Sequence, residues 1–134
     1  MSFEITILGS NSALFNHGRH PTAQVVIIRN RHFLIDCGEG TQERMREHDV
    51  KWFKIEYIFI SHLHGDHYFG LIGLITTFNL LKRTEKLTIF GPKELKKIID
   101  IQLKASNTIL NFPFKFIATK DDSKNLILDI PECT

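Results

Sequence analysis

The chain has 134 residues, 43% of them hydrophobic and 24% charged, with a formal net charge of +2. That is the size of one globular domain able to bury a core without disulfides or a structural metal, and the composition excludes collagen-like and disordered classes. The charge is too small to argue for nucleic-acid binding by bulk electrostatics, and no apolar run nears the ~18 residues of a membrane span.

Residues 3–8 alternate apolar and polar side chains, which predicts a half-buried strand stopped by Gly9. Met1-Ser2-Phe3-Glu4 has no basic stretch leading into an apolar one, so no secretory signal is expected. Residues 10–21, rich in Ser, Asn, Gly and His and ending at Pro21, read as a loop. Residues 23–29 and 32–36 read as two strands of a hairpin turning at Asn30-Arg31. Their continuous apolar runs suggest strands covered on both faces. A short helix follows over 41–47, with Gly40 or Thr41 as its N-cap.

Residues 55–60 form another expected strand, 70–83 a buried helix and 87–90 a short strand. Gly91-Pro92 opens a further helix with Pro at its first position, and Leu95, Ile98, Ile99 and Leu103 share one face. Residues 112–118 and 126–130 read as strands joined by the polar turn 120–123. Lys and Arg gather between Lys82 and Lys104, read as solvated helix faces. Strands alternating with helices predict an α/β layered domain, helices covering a mixed sheet, with chemistry in loops at the carboxyl ends of strands. Cys37 and Cys133 make no disulfide framework, and a reducing cytoplasm is the expected compartment.

The segment that speaks of chemistry is Ser61-His62-Leu63-His64-Gly65-Asp66-His67, where a hydrophobic strand runs into a ligand-rich loop. Residues two apart in extended chain point the same way, so His62 and His64 approach one metal together. Gly65 permits a sharp turn that redirects Asp66 and His67 toward a neighbouring position. Nitrogen and oxygen donors in this mix suit zinc, with manganese or iron as substitutes.

His62-Leu63-His64-Gly65-Asp66-His67 resembles the HxHxDH signature of the metallo-β-lactamase fold. More narrowly, Asp36-Cys37-Gly38-Glu39-Gly40-Thr41-Gln42, the His motif followed by Phe69-Gly70-Leu71-Ile72-Gly73-Leu74, and Leu87-Thr88-Ile89-Phe90-Gly91-Pro92 resemble ribonuclease Z, a tRNA 3′-processing endonuclease. The resemblance runs from residue 3 to about residue 117 and implies the N-terminal half of an αββα layered sandwich, with residues 1–134 as part of a single domain.

It further implies two zinc ions, His62 and His64 holding the first, Asp66 and His67 the second, with Asp66 also the proton acceptor. Metal-activated hydroxide would attack a phosphodiester and remove the 3′ trailer from precursor tRNA, leaving a 3′-hydroxyl on the tRNA body. The implied partners are precursor tRNA and a second subunit in a homodimer, with no membrane. No substrate-binding residue is assigned.

Asp36 either orients a ligand histidine through its second nitrogen or caps the next turn. Gly38, Gly40 and Thr41 either meet a phosphate at a helix N-terminus or cap it, capping being favoured. His17, Arg19 and His20 read as solvated loop residues rather than RNA contacts. His32 and His48 read as structural or surface residues, and Cys37 as a small core residue rather than a nucleophile.

A catalytic zinc usually has three protein ligands and an open position, whereas this motif offers two to each ion. The family's later histidine, bridging aspartate and final histidine have no counterpart, since no histidine follows His67 and none of Asp100, Asp121, Asp122 and Asp129 sits in the required context. The chain alone is therefore expected to bind zinc poorly, to be inactive on precursor tRNA and to self-associate through a bare sheet edge. The alternatives are another hydrolase of the same fold, acting on thioesters or other phosphodiesters, and a non-catalytic dimerisation or RNA-contact module.

Overall fold

The alternating and β-branched segments become strands, and three segments between them, one apolar and two largely polar, become helices. A computed structural model describes residues 3–11, 18 and 20–120. In chain order the elements are β1 (Phe3–Gly9), β2 (Ala23–Ile28), β3 (Arg31–Ile35), α1 (Thr41–Glu47), β4 (Ile55–Phe59), α2 (Leu71–Leu80), β5 (Leu87–Gly91), α3 (Lys93–Ala105) and β6 (Phe114–Ala118). Short 3₁₀ turns occupy Trp52–Lys54 and Gly65–His67. The expected strand over 126–130, most of the turn over 120–123, and His17, Arg19, Asp121, Asp122, Asp129 and Cys133 lie outside the described residues.

One six-stranded sheet runs in the order β1-β2-β3-β4-β5-β6. β1, β2 and β3 pair antiparallel, and β3 through β6 pair parallel. Each parallel step carries a crossover helix. Right-handed crossovers that all step in one direction put their helices on the same face. The core agrees: Leu34, Ile58 and Ile89, aligned across β3, β4 and β5, cluster with Met45 of α1, Leu71, Leu74, Ile75 and Phe78 of α2, and Leu95 and Ile99 of α3.

The opposite face of the sheet is aromatic. Phe33 stacks on Tyr57 at 5.5 Å between ring centroids, and Phe59 stacks on Phe90 at 4.7 Å. Phe33 and Phe90 are buried by these neighbours, but Phe3, Ile5 and Ile7 of β1 and Ile35 of β3 are exposed. The expectation of strands covered on both faces is therefore corrected. Among the described residues the three helices pack on one side only, and the other is an apolar sheet face.

Three boundaries differ from the sequence expectation. The hairpin turns at Arg29-Asn30, with φ of 48° and 68°, not at Asn30-Arg31. Two successive left-handed residues make the tight turn whose twist suits a two-residue hairpin. The register it sets pairs Val25 with Leu34 and Val26 with Phe33, whereas a one-residue slip would move each side chain to the wrong face. Pro92 sits at the N-cap of α3 rather than inside its first turn.

The third difference is at α2, which ends at Leu80; Lys82 at φ 60° then closes the turn. Arg83 leaves the helix and turns inward, so it is not one of the solvated cations expected between Lys82 and Lys104. Its Nη2 donates to the carbonyls of Ile55 (2.7 Å) and Lys86 (3.1 Å) and its Nε to that of Glu85 (2.8 Å). The guanidinium lies 5.0 Å from the centroid of the Phe78 ring. Burial lowers its pKa from the ordinary arginine value.

Candidate active site

The ligand-rich loop leaves the carboxyl end of β4. Ile60, buried, donates its N–H to Phe90 O at 2.8 Å, which extends the strand by one residue before the chain turns outward. His67 N–H then closes on His64 O at 2.9 Å, forming the turn that Gly65 permits.

The loop is anchored to the end of β3, where Asp36 adopts a φ of 59° and is buried. A non-glycine residue in that region is uncommon and persists where the surroundings hold it. Here the holding is explicit. Asp36 N–H donates to Phe59 O at 2.7 Å, and Asp36 Oδ1 accepts from Ser61 N–H and Ser61 Oγ, each at 2.9 Å. Cys37 N–H donates to His67 O at 2.8 Å, and Gly70 N–H to Cys37 O at 3.0 Å.

Asp36 Oδ2 lies 2.9 Å from His67 Nδ1. A carboxylate only accepts, so Nδ1 donates this bond. Nε2 is turned to the carboxylate of Asp66, 3.4 Å from Oδ2. The His62 ring centroid lies 3.7 Å from that of His67 and 5.0 Å from that of His64. Ser61 Oγ, 3.1 Å from His62 Nδ1, is available to accept from it once its own proton is given to Asp36. His62 and His64 are exposed, while Asp66 and His67 are half-buried.

The four proposed donors thus share one loop at one end of the sheet. Their chemistry fits a divalent cation: three imidazoles and a carboxylate, one imidazole anchored through Nδ1 by Asp36. Among the described residues no three of His, Cys, Asp and Glu converge as a metal-holding group. Asp100 is far from this role, paired with Lys96 Nζ at 2.7 Å along α3.

The remaining candidates sort by position. Gly40 is the N-cap of α1 at φ 82°, and Thr41 Oγ1 donates to Gly38 O at 2.6 Å. His32 is buried, its Nδ1 3.0 Å from Asn30 O at the hairpin, away from the loop. Cys37 is fully buried, and that burial pushes its thiol up to about 12, so it stays protonated and inert. Ser61 and Phe69 stand inside the quoted motifs, but the sequence assigns neither a role. For Ser61 the available signal was its place as the first polar residue after a buried strand.

A family model described as anti-Pycsar protein Apyc1 matches residues 3–112. The chain belongs to that family. Ribonuclease Z of Cytophaga hutchinsonii is 47% identical over 98% of this chain and 42% of that protein. The crystal structure of human tRNase Z, short form, superposes with a TM-score of 0.78 at 36% identity, covering 88% of this chain and 47% of that one. The metallo-β-lactamase fold protein YhfI of Bacillus subtilis superposes at 0.62 with 21% identity, covering 89% of this chain and 47% of that one, and shows the fold alone. The chain spans less than half the length of each of these relatives. The fold is that of the metallo-β-lactamase proteins, and the resemblance to ribonuclease Z read from the motifs holds across the chain.

Proposed function

We propose that this chain contributes the first half of a metal-dependent endoribonuclease site that removes the 3′ trailer from precursor tRNA. The observation that carries the reading is the line Asp36–His67–Asp66 beside His62 and His64, joined with the similarity to ribonuclease Z. His62 and His64 would hold one zinc, and Asp66 and His67 a second. Bound zinc supplies Lewis acidity, which activates water near neutral pH and offsets charge on the phosphate.

The residues do the rest. Asp36 keeps the His67 proton on Nδ1. Ser61 braces Asp36 and sets the orientation of His62. Asp66 orients the attacking water, takes its proton and returns it to the leaving oxygen. A cytoplasmic setting belongs to the same reading, and no helix among the described residues is long and apolar enough to cross a membrane. So does a homodimer, for which the exposed Phe3, Ile5, Ile7 and Ile35 offer an apolar surface.

The test is release of the trailer. The protein that carries this sequence, given zinc and a precursor tRNA, is expected to leave a 3′-hydroxyl on the tRNA body, and chelation is expected to slow release by about a hundredfold or more. An intact precursor alongside hydrolysis of a thioester or another phosphodiester would favour the second reading, a different hydrolase of the same fold. That reading has one observation behind it, the match to a family model with a name other than ribonuclease Z. RNA binding that survives chelation, with no cleavage, would favour a non-catalytic module.

For residues 1–134 alone, metal analysis after dialysis is expected to find fewer than two zinc ions per chain. Two ions held tightly would overturn the pairing of donors described here, in which no third ligand joins either pair among the described residues.

A further inference from the structure

Phe69, two residues beyond the His motif, is 63% exposed. The ring is nonetheless fixed. Its tip lies over Gly65, so close that a Cβ on that glycine would come within 2.2 Å of Cζ and 2.3 Å of Cε2. Tyr68 packs against it at 5.3 Å between centroids, with the planes at 70°. Behind it, Phe69 N–H donates to Gly65 O at 2.9 Å. The glycine inside the His motif therefore does two things. It makes the turn, and it leaves room for an aromatic ring to rest on the backbone between His64 and Asp66.

A held, solvent-facing ring beside a phosphodiester-cleaving centre suits one ligand chemistry above others, the flat face of an unpaired base. Single-stranded RNA is gripped largely by stacking on such rings, which is tolerant of sequence because every base has a π-face. We propose that Phe69 is the stacking platform for an unpaired base next to the scissile phosphate, and so a substrate-positioning residue rather than a catalytic one. This rests on the RNA-cleaving reading above.

The test uses the protein that carries this sequence and a precursor tRNA with 2-aminopurine beside the cleavage point. Stacking on Phe69 is expected to quench the fluorescence in the first, pre-cleavage phase of a stopped-flow trace. Phe69→Leu should abolish the quench and raise KM about tenfold, with kcat changed much less. Phe69→Trp should restore both, which a merely structural role for the ring would not require. A Phe69→Leu protein that quenches and binds like wild type while wild type cleaves overturns the stacking alone. A wild-type protein that neither binds nor cleaves the RNA overturns the RNA reading, and this inference with it.

Discussion

Replacing Asp66 with alanine is expected to lower the single-turnover rate of trailer release by about a thousandfold, the middle of the range for losing a positioned proton acceptor. The size follows from two roles on one side chain. Asp66 is proposed as a ligand of the second zinc, and it is the carboxylate nearest His67 Nε2, at 3.4 Å. Asp66→Asn separates the roles. It keeps the volume and one oxygen donor but cannot take a proton, so it should retain more zinc than Asp66→Ala while cleaving almost as slowly. Rate and zinc content measured together on both variants decide it. A rate for Asp66→Ala within tenfold of wild type would remove Asp66 from the chemistry.

A large loss of stability is expected from a single methyl group. In Gly70→Ala the new Cβ would lie 2.2 Å from Gly38 O, 3.0 Å from Gly38 C and 3.2 Å from Cys37 O. All three are backbone atoms of the segment that Gly70 N–H also binds, so none can rotate away. The start of α2 would have to separate from the end of β3, at a cost of about 3 kcal/mol or more. Urea unfolding gives the value, and the same protein should lose zinc because Cys37 N–H is tied to His67 O.

Gly73→Ala is the built-in comparison. Its Cβ would meet only Gln42 Nε2 at 3.2 Å, the end of a flexible side chain. Inside a helix, alanine in place of glycine gains roughly 0.5–1 kcal/mol, so this variant should be neutral or slightly more stable. Equal losses at both glycines would mean that the β3–α2 junction is not the close contact described.

The sequence by itself determined the fold class and, among the described residues, the elements that build it. Alternation over 3–8, the apolar runs before Asp36 and Ser61, and the helical spacing of Leu95, Ile99 and Leu103 are local patterns, and local patterns survive into the fold because they decide which face of an element can be buried. The proposed donors His62, His64, Asp66 and His67 stand within six positions of one another, so they are seen together with no tertiary contact.

Tertiary structure decided what depends on distant partners. The hairpin shifted by one residue because burial across β2 and β3 sets its register. Arg83 turned inward because the carbonyls of Ile55, Glu85 and Lys86 come to one place only when β4 and β5 pair. All three helices share a face because every crossover steps the same way. At the site, His67 is anchored through Nδ1 by a carboxylate 31 positions earlier. Such contacts are won by burial and hydrogen bonds between segments remote in sequence, and no local preference encodes them.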